Sequence, residues 1–270
     1  MKINFICFIL VMVLVSHHVL AQKEPNLIKI LSYNIYHGEN PNQSGKPNLD
    51  DIVNLILQIQ PEVIALQEID SMTLRSETLF GTKSNLIAEL IKRTEYSGYF
   101  GKSMDYDEGG YGVGLLVKKG SDYKTLTLPS PQGGEPRVAA WVKAESKTRK
   151  EFYFASTHFS NENSENRLAQ LKELISYADT RTLPALIAGD LNFDPESEEH
   201  KNIPTKWKDA GRVAGDSTAT YAGEKGKRID YIMYDSEYFE LVEYKVLNLP
   251  HSDHFPVLVT LKLKTKPNPT

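Results

Sequence analysis

The sequence predicts an α+β layered sandwich built as one domain, and three observations carry the prediction. Short apolar runs of strand length outnumber amphipathic helical stretches. Several neighbouring strands have no helix between them, which disfavours a doubly wound parallel sheet. No long Gly/Ser or Pro linker and no internal repeat divides the chain. Its 270 residues, 40% hydrophobic and 24% charged, suffice to bury a sizeable core.

Residues 1–21 stand apart from the rest. Lys2 is their only charge, an apolar run from Ile3 to Val15 follows, and Ala21 offers a small residue for cleavage. This is the pattern of a secretory signal peptide. The run is shorter than the about 20 apolar residues that a membrane span needs. The expected organisation is a leader over 1–21 removed near Ala21, a domain over 26–264 and a polar, Pro-rich tail over 265–270. The mature chain would be exported, periplasmic or secreted, with no stable membrane span and as a monomer.

Within the domain, Leu27 to Asn34 has strand character. Asn48 to Asp50 is expected to cap a helix carrying Ile52, Leu55, Ile56 and Ile59 on one face, ended by Pro61. Val63 to Leu66 reads as a buried strand running straight into Gln67-Glu68. A helix is expected from Asn85 to Arg93, with Leu86, Ile87, Leu90 and Ile91 inward. Strands are expected at Gly112–Val117, Ala139–Val142 and Phe152–Ser156. A helix from Glu165 to Ala178 then turns Leu168, Leu171, Leu174 and Ile175 inward. The remaining expected strands are Ala185–Ala188, Ile229–Met233, Phe239–Val246 and Val257–Leu263. Gly112-Val-Gly114 reads as a bulge or turn.

Composition excludes several function classes. Lys and Arg number 31 against 35 Asp and Glu, so net charge gives no reason for tight nucleic-acid binding. The single Cys, Cys7, lies in the expected leader, which excludes a disulfide framework, a CxxC zinc site and thiol catalysis in the mature chain. GxSxG, HExxH, Walker A and GxGxxG patterns are absent.

Polar residues end strand after strand: Asn34, Glu68, His158, Asp190 with Asn192, Asp230, and Asp253-His254. Such groups on buried strands are costly unless paired or bound to a ligand. If the ends share one rim, they form a cluster of carboxylates, amides and imidazoles. Its oxygens suit a hard cation such as Mg²⁺ or Mn²⁺. Asp190 and Asn192, two apart, would share one face of an extended segment.

Ser32-Tyr-Asn34, Leu66-Gln-Glu68, Ser156-Thr-His158, Gly189-Asp-Leu-Asn192, Arg228-Ile-Asp230-Tyr231-Ile232 and Ser252-Asp-His254-Phe-Pro256 follow one another in that order. Together they resemble the endonuclease/exonuclease/phosphatase superfamily, the deoxyribonuclease I-like metal-dependent phosphoesterases. The resemblance implies a four-layer α/β sandwich, two packed mixed β-sheets flanked by helices, and a metal-dependent phosphoric ester hydrolase. It implies Glu68 as principal Mg²⁺ ligand and a role for Asp253 in the metal shell or in fixing its loop; Asn34 can supply an amide oxygen to the metal or a donor to a phosphate oxygen. Asp190 would polarise the attacking water and Asn192 would orient that carboxylate and the phosphate. Asp230 would support a charged His254, with His158 as the second imidazole donor.

Asn34, Asn192, Tyr111 and Arg137 are the expected substrate contacts. In Glu135-Pro-Arg137 the Arg follows Glu-Pro, whereas nuclease members often place it before, which weakens a nucleic-acid role for it. His37, His200 and His251 receive no catalytic assignment, although His251 is close enough in sequence to contact substrate. Arg167 and Gln170 read as structural ties between helix and loop. A small or lipid-derived phosphodiester, or a phosphomonoester, is favoured as substrate. A secreted non-specific deoxyribonuclease is the alternative, and a non-catalytic binding module the more remote one.

Overall fold

Residues 26–223 and 226–264 are described by the computed structural model, so the expected leader and tail lie outside the described residues. In chain order the strands are β1 (Leu27–Asn34), β2 (Val63–Ser71), β3 (Ser97–Tyr106), β4 (Gly109–Val117), β5 (Gly120–Leu128), β6 (Arg137–Glu145), β7 (Glu151–His158), β8 (Ala185–Asp190), β9 (Trp207–Asp209), β10 (Asp230–Asp235), β11 (Phe239–Val246) and β12 (Val257–Leu263). The α-helices are α1 (Leu49–Ile59), α2 (Leu74–Phe80), α3 (Leu86–Thr94), α4 (Ser164–Asp179), α5 (Glu198–Lys201) and α6 (Ala210–Ala214).

The strands form two six-stranded sheets, ordered β11-β12-β1-β2-β4-β3 and β5-β6-β7-β8-β10-β9. Both are mixed. β1 runs parallel to β2 and β7 parallel to β8, while the other pairs are antiparallel.

Alternation within each strand explains the layers. Ile28, Ile30, Val63, Ala65 and Leu115 face Ala140, Val142, Phe154, Leu186 and Ile232 across the interface between the sheets. The intervening residues turn outward onto helices: Leu31, Ile64, Leu66 and Leu116 pack with Ile52 and Ile56 of α1 and Ile87 and Leu90 of α3. On the far side Trp141, Ala155 and Ile187 pack with Leu171, Leu174 and Ile175 of α4. Central strands covered on both faces must be apolar throughout, which is why they read as uninterrupted hydrophobic runs. The result is the four-layer sandwich expected from the sequence.

Strands that the sequence did not signal, β3, β5 and β9, are all sheet edges. β3 and β5 are largely exposed or half-buried, so they lack an apolar run. Helix α2 hides only Ser76 and Leu79. Asn48 does occupy the N-cap of α1, but its side chain does not cap the helix. Its amide instead donates to the carbonyls of Ile35, Glu39 and His251, tying the loop after β1 to the loop before β12.

Gly112-Val-Gly114 is neither bulge nor turn; it lies inside β4. A Cβ on Gly112 would stand 2.1 Å from the Gly101 carbonyl oxygen, and one on Gly114 2.2 Å from Cδ1 of Ile87. Glycine is required there because β3 and α3 close directly onto the strand. The bulge is opposite, in β2. Leu66 pairs with Gly114 and Ile69 with Gly112, leaving Gln67 and Glu68 against Val113 alone. No helix among the described residues is long and apolar enough to cross a membrane.

Candidate active site

Strand direction brings the polar ends together. β1 and β7 end at Asn34 and His158, each beside a parallel neighbour. β8 ends at Asp190, which pairs with His158 on one side and with Asp230, the first residue of β10, on the other. Asn34 crosses from one sheet to the other: its Nδ2 donates to Glu68 Oε1 at 3.0 Å and to Asp190 Oδ2 at 3.3 Å.

Glu68 owes its direction to the bulge. Its φ of +59° is left-handed, a conformation that costs a non-glycine residue roughly 1–2 kcal/mol. The turn takes the side chain out of the ladder and into the cleft. Burial works to raise its carboxyl pKa, but the facing imidazole of His37 and the amide of Asn34 hold it down at about 2. It is therefore an anion across the physiological range.

Asp190 is the centre of the cluster. Oδ1 accepts the Asn192 N–H at 3.0 Å. Oδ2 lies 3.5 Å from His158 Nε2 and 3.6 Å from His254 Nε2. Burial, and then the charge of Asp230, push this carboxyl well above the usual carboxylate range, against the pull of His254. Gly189 is needed just before it, because a Cβ there would meet the Thr157 carbonyl oxygen at 1.9 Å. Asn192 does not continue an extended segment as expected; with φ +54° it doubles back, and its Nδ2 donates to the Phe159 carbonyl at 3.1 Å.

His254 Nδ1 and Asp230 Oδ2 are 2.8 Å apart and buried. Burial alone would lower the imidazole pKa, yet Asp230 and then Asp190 raise it to about 10. His254 is thus an imidazolium at neutral pH. His158 is the opposite case. Burial, then the nearby Arg137, push its pKa far below that of free imidazole, so it is neutral and not a second cation.

A cleft of about 400 Å³ opens over these groups. Glu68, Tyr111, Arg137, His158, Asp190, Asn192, Asp253 and His254 line it; Asn34 and Asp230 lie behind that lining. Asn34 turns its nitrogen to the carboxylates while its oxygen accepts the Tyr36 N–H at 3.2 Å. Arg137 is buried and paired with Glu135 at 3.1 Å. Asp253 has its pKa raised, chiefly by burial, and accepts from Ser252 Oγ at 3.3 Å. Ser252 also donates to the Asn34 carbonyl, fixing the loop to β1.

Sequence reasoning missed Glu135, Asn161, Asp194, Tyr221 and Lys227, which also line the cleft. Asp194 was detectable, four residues after Asp190. The Tyr221 ring lies tilted against that of His254, with centroids 4.9 Å apart, across an isolated bridge that carries no local signal. His251 does not line the cleft; it faces Asp51 on α1 at 3.4 Å. Arg167 and Gln170 do tie α4 to the loop after His158, through the Ser160 carbonyl and N–H.

The donor set suits a divalent cation. Ligand atoms of Asp190, Asp230 and His254 lie within 4.8 Å of one another, a spacing that can hold a metal ion. Glu68, an ionised carboxylate open to the cleft, is a further oxygen donor beside this group. Asp230 Oδ1 is buried with no partner among the described residues.

The sequence pattern of the Endonuclease/Exonuclease/phosphatase family matches residues 31–254, from β1 to His254. The chain belongs to this family. Its members are mostly hydrolases of phosphate esters that depend on a divalent metal. The endonuclease/exonuclease/phosphatase fold recurs in solved structures of low identity. A protein of that family from Beutenbergia cavernae DSM 12333 is 20% identical over 90% of this chain and 73% of its own, with a TM-score of 0.74. The human Nocturnin catalytic domain with bound sulfate anion is 21% identical over 90% and 95%, with a TM-score of 0.69. The mannosyl-6-phosphatase of Bacteroides thetaiotaomicron VPI-5482 is 17% identical over 87% and 99%, with a TM-score of 0.67. A comparison with curated proteins gives no match.

Proposed function

We propose that the protein is an exported Mg²⁺-dependent phosphoesterase, accepting Mn²⁺, that hydrolyses a small or lipid-derived phosphodiester, or a phosphomonoester, by in-line attack of water. The convergence on Asp190 Oδ2 carries this reading: nitrogens of Asn34, His158 and His254 stand 3.3, 3.5 and 3.6 Å from a carboxylate of raised pKa at the floor of a cleft. A base near the working pH is the effective one for activating water. Asp190 takes the proton from the attacking water, with Asn192 holding its other oxygen. The His254 imidazolium, supported by Asp230, donates to a phosphoryl oxygen. Asn34 and neutral His158 supply further donors where transition-state charge develops.

Glu68, with Asp253 beside it, would hold the cation. Once bound, a divalent ion supplies Lewis-acid stabilisation of phosphoryl and leaving-group charge.

Substrate size and charge follow from the cleft walls. Glu135, Asp194 and Asp253 add acidic groups, and Arg137 is already paired with Glu135. That wall repels a polyanion and suits a single phosphate group on a compact organic moiety, with Tyr111 and Arg137 as contacts. The neighbour named as a mannosyl-6-phosphatase is in keeping with a small phosphate ester. The Ile3–Val15 run supports export, and residues 26–264 form the catalytic unit, acting as a monomer.

Lys227 at the cleft favours one competing reading, a secreted deoxyribonuclease. Bis-p-nitrophenyl phosphate, sphingomyelin, inositol phosphates and plasmid DNA, each with Mg²⁺, Mn²⁺ or EDTA, separate the two. Metal-dependent turnover of small or lipid diesters supports the proposal. Plasmid cleavage alone supports the nuclease, and no turnover with any metal supports a binding module.

A further inference from the structure

We propose that His37 is a nitrogen ligand of the cation held at Glu68, making that centre a mixed nitrogen/oxygen site that binds Mn²⁺ and other first-row transition ions more tightly than the Mg²⁺ it also works with. The proposal rests on reading Glu68 as the cation ligand. It adds a residue given no role from sequence.

His37 lies in the single turn Tyr36–Gly38 that follows β1. It is 7% exposed, and its Nδ1 has no hydrogen-bond partner among the described residues. That nitrogen faces Glu68 Oε2 at 3.6 Å. The other ring nitrogen, Nε2, lies 3.1 Å from Glu39 Oε2. Glu39 is itself anchored, its Oε1 accepting the Gly45 N–H at 2.7 Å and the Ser44 hydroxyl at 3.2 Å.

A carboxylate on one ring nitrogen fixes the tautomer and leaves the opposite nitrogen as a lone pair. This is how metal-binding imidazoles are oriented and made more basic. With a cation in place that lone pair is Nδ1, beside the Glu68 carboxylate. Glu68 Oε1 already takes the Asn34 amide, so Oε2 and Nδ1 are the pair left facing each other. Their 3.6 Å separation is too long for a hydrogen bond. It is close to the spacing of two ligands on one ion, since bonds of about 2.1 Å place neighbouring ligand atoms roughly 3–3.5 Å apart.

The backbone is bent to present the ring. Tyr36 and His37 have φ of +49° and +43°, and Gly38 has +85°. Side chains in that region cost roughly 1–2 kcal/mol each, and a Cβ on Gly38 would meet the Phe80 ring at 2.9 Å. An oxygen-only set would leave the choice to Mg²⁺; an imidazole ligand shifts it toward transition ions.

Electron spin echo modulation of the Mn²⁺-loaded protein, with titration calorimetry for Mn²⁺ and Mg²⁺, tests this on wild type, His37→Asn and Glu68→Gln. Asn tolerates the left-handed turn; His37→Gln replaces it should the first variant not fold. The expected result is imidazole ¹⁴N modulation in wild type that is lost in His37→Asn. Mn²⁺ affinity should fall about 10–100-fold while Mg²⁺ affinity changes within about threefold. Absence of ¹⁴N modulation in wild type, or its persistence in the variant, overturns the proposal while leaving Glu68 as ligand. Wild-type Mn²⁺ affinity in Glu68→Gln overturns both.

Discussion

Replacing Asp230 by Asn removes one carboxylate oxygen's charge from the His254–Asp230 pair with almost no change of shape. The pair is 2.8 Å apart, with side chains 5% and 1% exposed. His254 is raised from 6.5 to about 10, and at about 1.4 kcal/mol per unit that is on the order of 5 kcal/mol of preference for the imidazolium. Asp230 is the largest favourable source, followed by Asp190 and then Asp253. Without it, burial regains control and the imidazole pKa falls toward or below neutrality. The variant therefore loses both its charged donor at pH 7 and the stability tied to it. The sign is fixed by the direction of the shift. A group with a raised folded pKa stabilises fully below about 6.5, and that contribution is lost as pH rises through about 10. Wild type should weaken along that alkaline window, whereas Asp230→Asn should be flatter there and less stable at pH 7 by roughly 3–5 kcal/mol, as for other broken buried pairs. NMR titration of ¹³C-labelled imidazoles in the metal-free protein gives the pKa, urea unfolding at several pH values gives the stability, and turnover should fall about 10²–10⁴-fold. A His254 pKa unchanged in the variant, or turnover within a few-fold of wild type, refutes the reasoning.

Other outcomes follow from single contacts. Gly112→Ala places a methyl 2.1 Å from the Gly101 carbonyl and should cost at least about 1–3 kcal/mol in urea unfolding, because a backbone atom must yield. Asp209→Asn breaks a buried cluster in which the Asp209 carboxylate takes Arg228 at 2.5 and 3.1 Å and His200 at 3.0 Å. A loss of roughly 3–5 kcal/mol is expected at pH 7. Burial works to raise the Asp209 carboxyl pKa, but His200 and Arg228 outweigh it and leave it lowered, so its contribution is present at neutral pH and lost on acidification; the variant and wild type should converge in stability at low pH. Glu68→Gln should lower cation affinity at least about tenfold by calorimetry, because the anionic oxygen ligand is gone.

Legibility in the sequence followed burial. Central strands such as β2, β7 and β8 are covered on both faces, so their apolar runs were visible at once. The edge strands β3, β5 and β9 pair on one side only and take mixed residues, so no periodicity marked them. The site was legible where a polar residue interrupts a buried strand end, as at Asn34, Glu68, His158, Asp190 and Asp230. It was not legible where the backbone departs from regular geometry. The left-handed turns at His37, Glu68 and Asn192 decide where those side chains aim, and at His37 and Glu68 nothing in the residue type announces them. Charge state was equally hidden. His158 and His254 look alike in sequence, yet Arg137 beside one and Asp230 beside the other leave the first neutral and the second charged.

The central claim is that phosphate-ester hydrolysis runs through the Asp190 cluster with a divalent cation. Its most direct measurement is the hydrolysis of bis-p-nitrophenyl phosphate by the mature chain with Mg²⁺, with EDTA, and by Asp190→Asn with Mg²⁺. Turnover is expected with Mg²⁺, none above background with EDTA, and a fall of at least about 10²-fold in the variant. Full activity in EDTA, or wild-type turnover in Asp190→Asn, would contradict it.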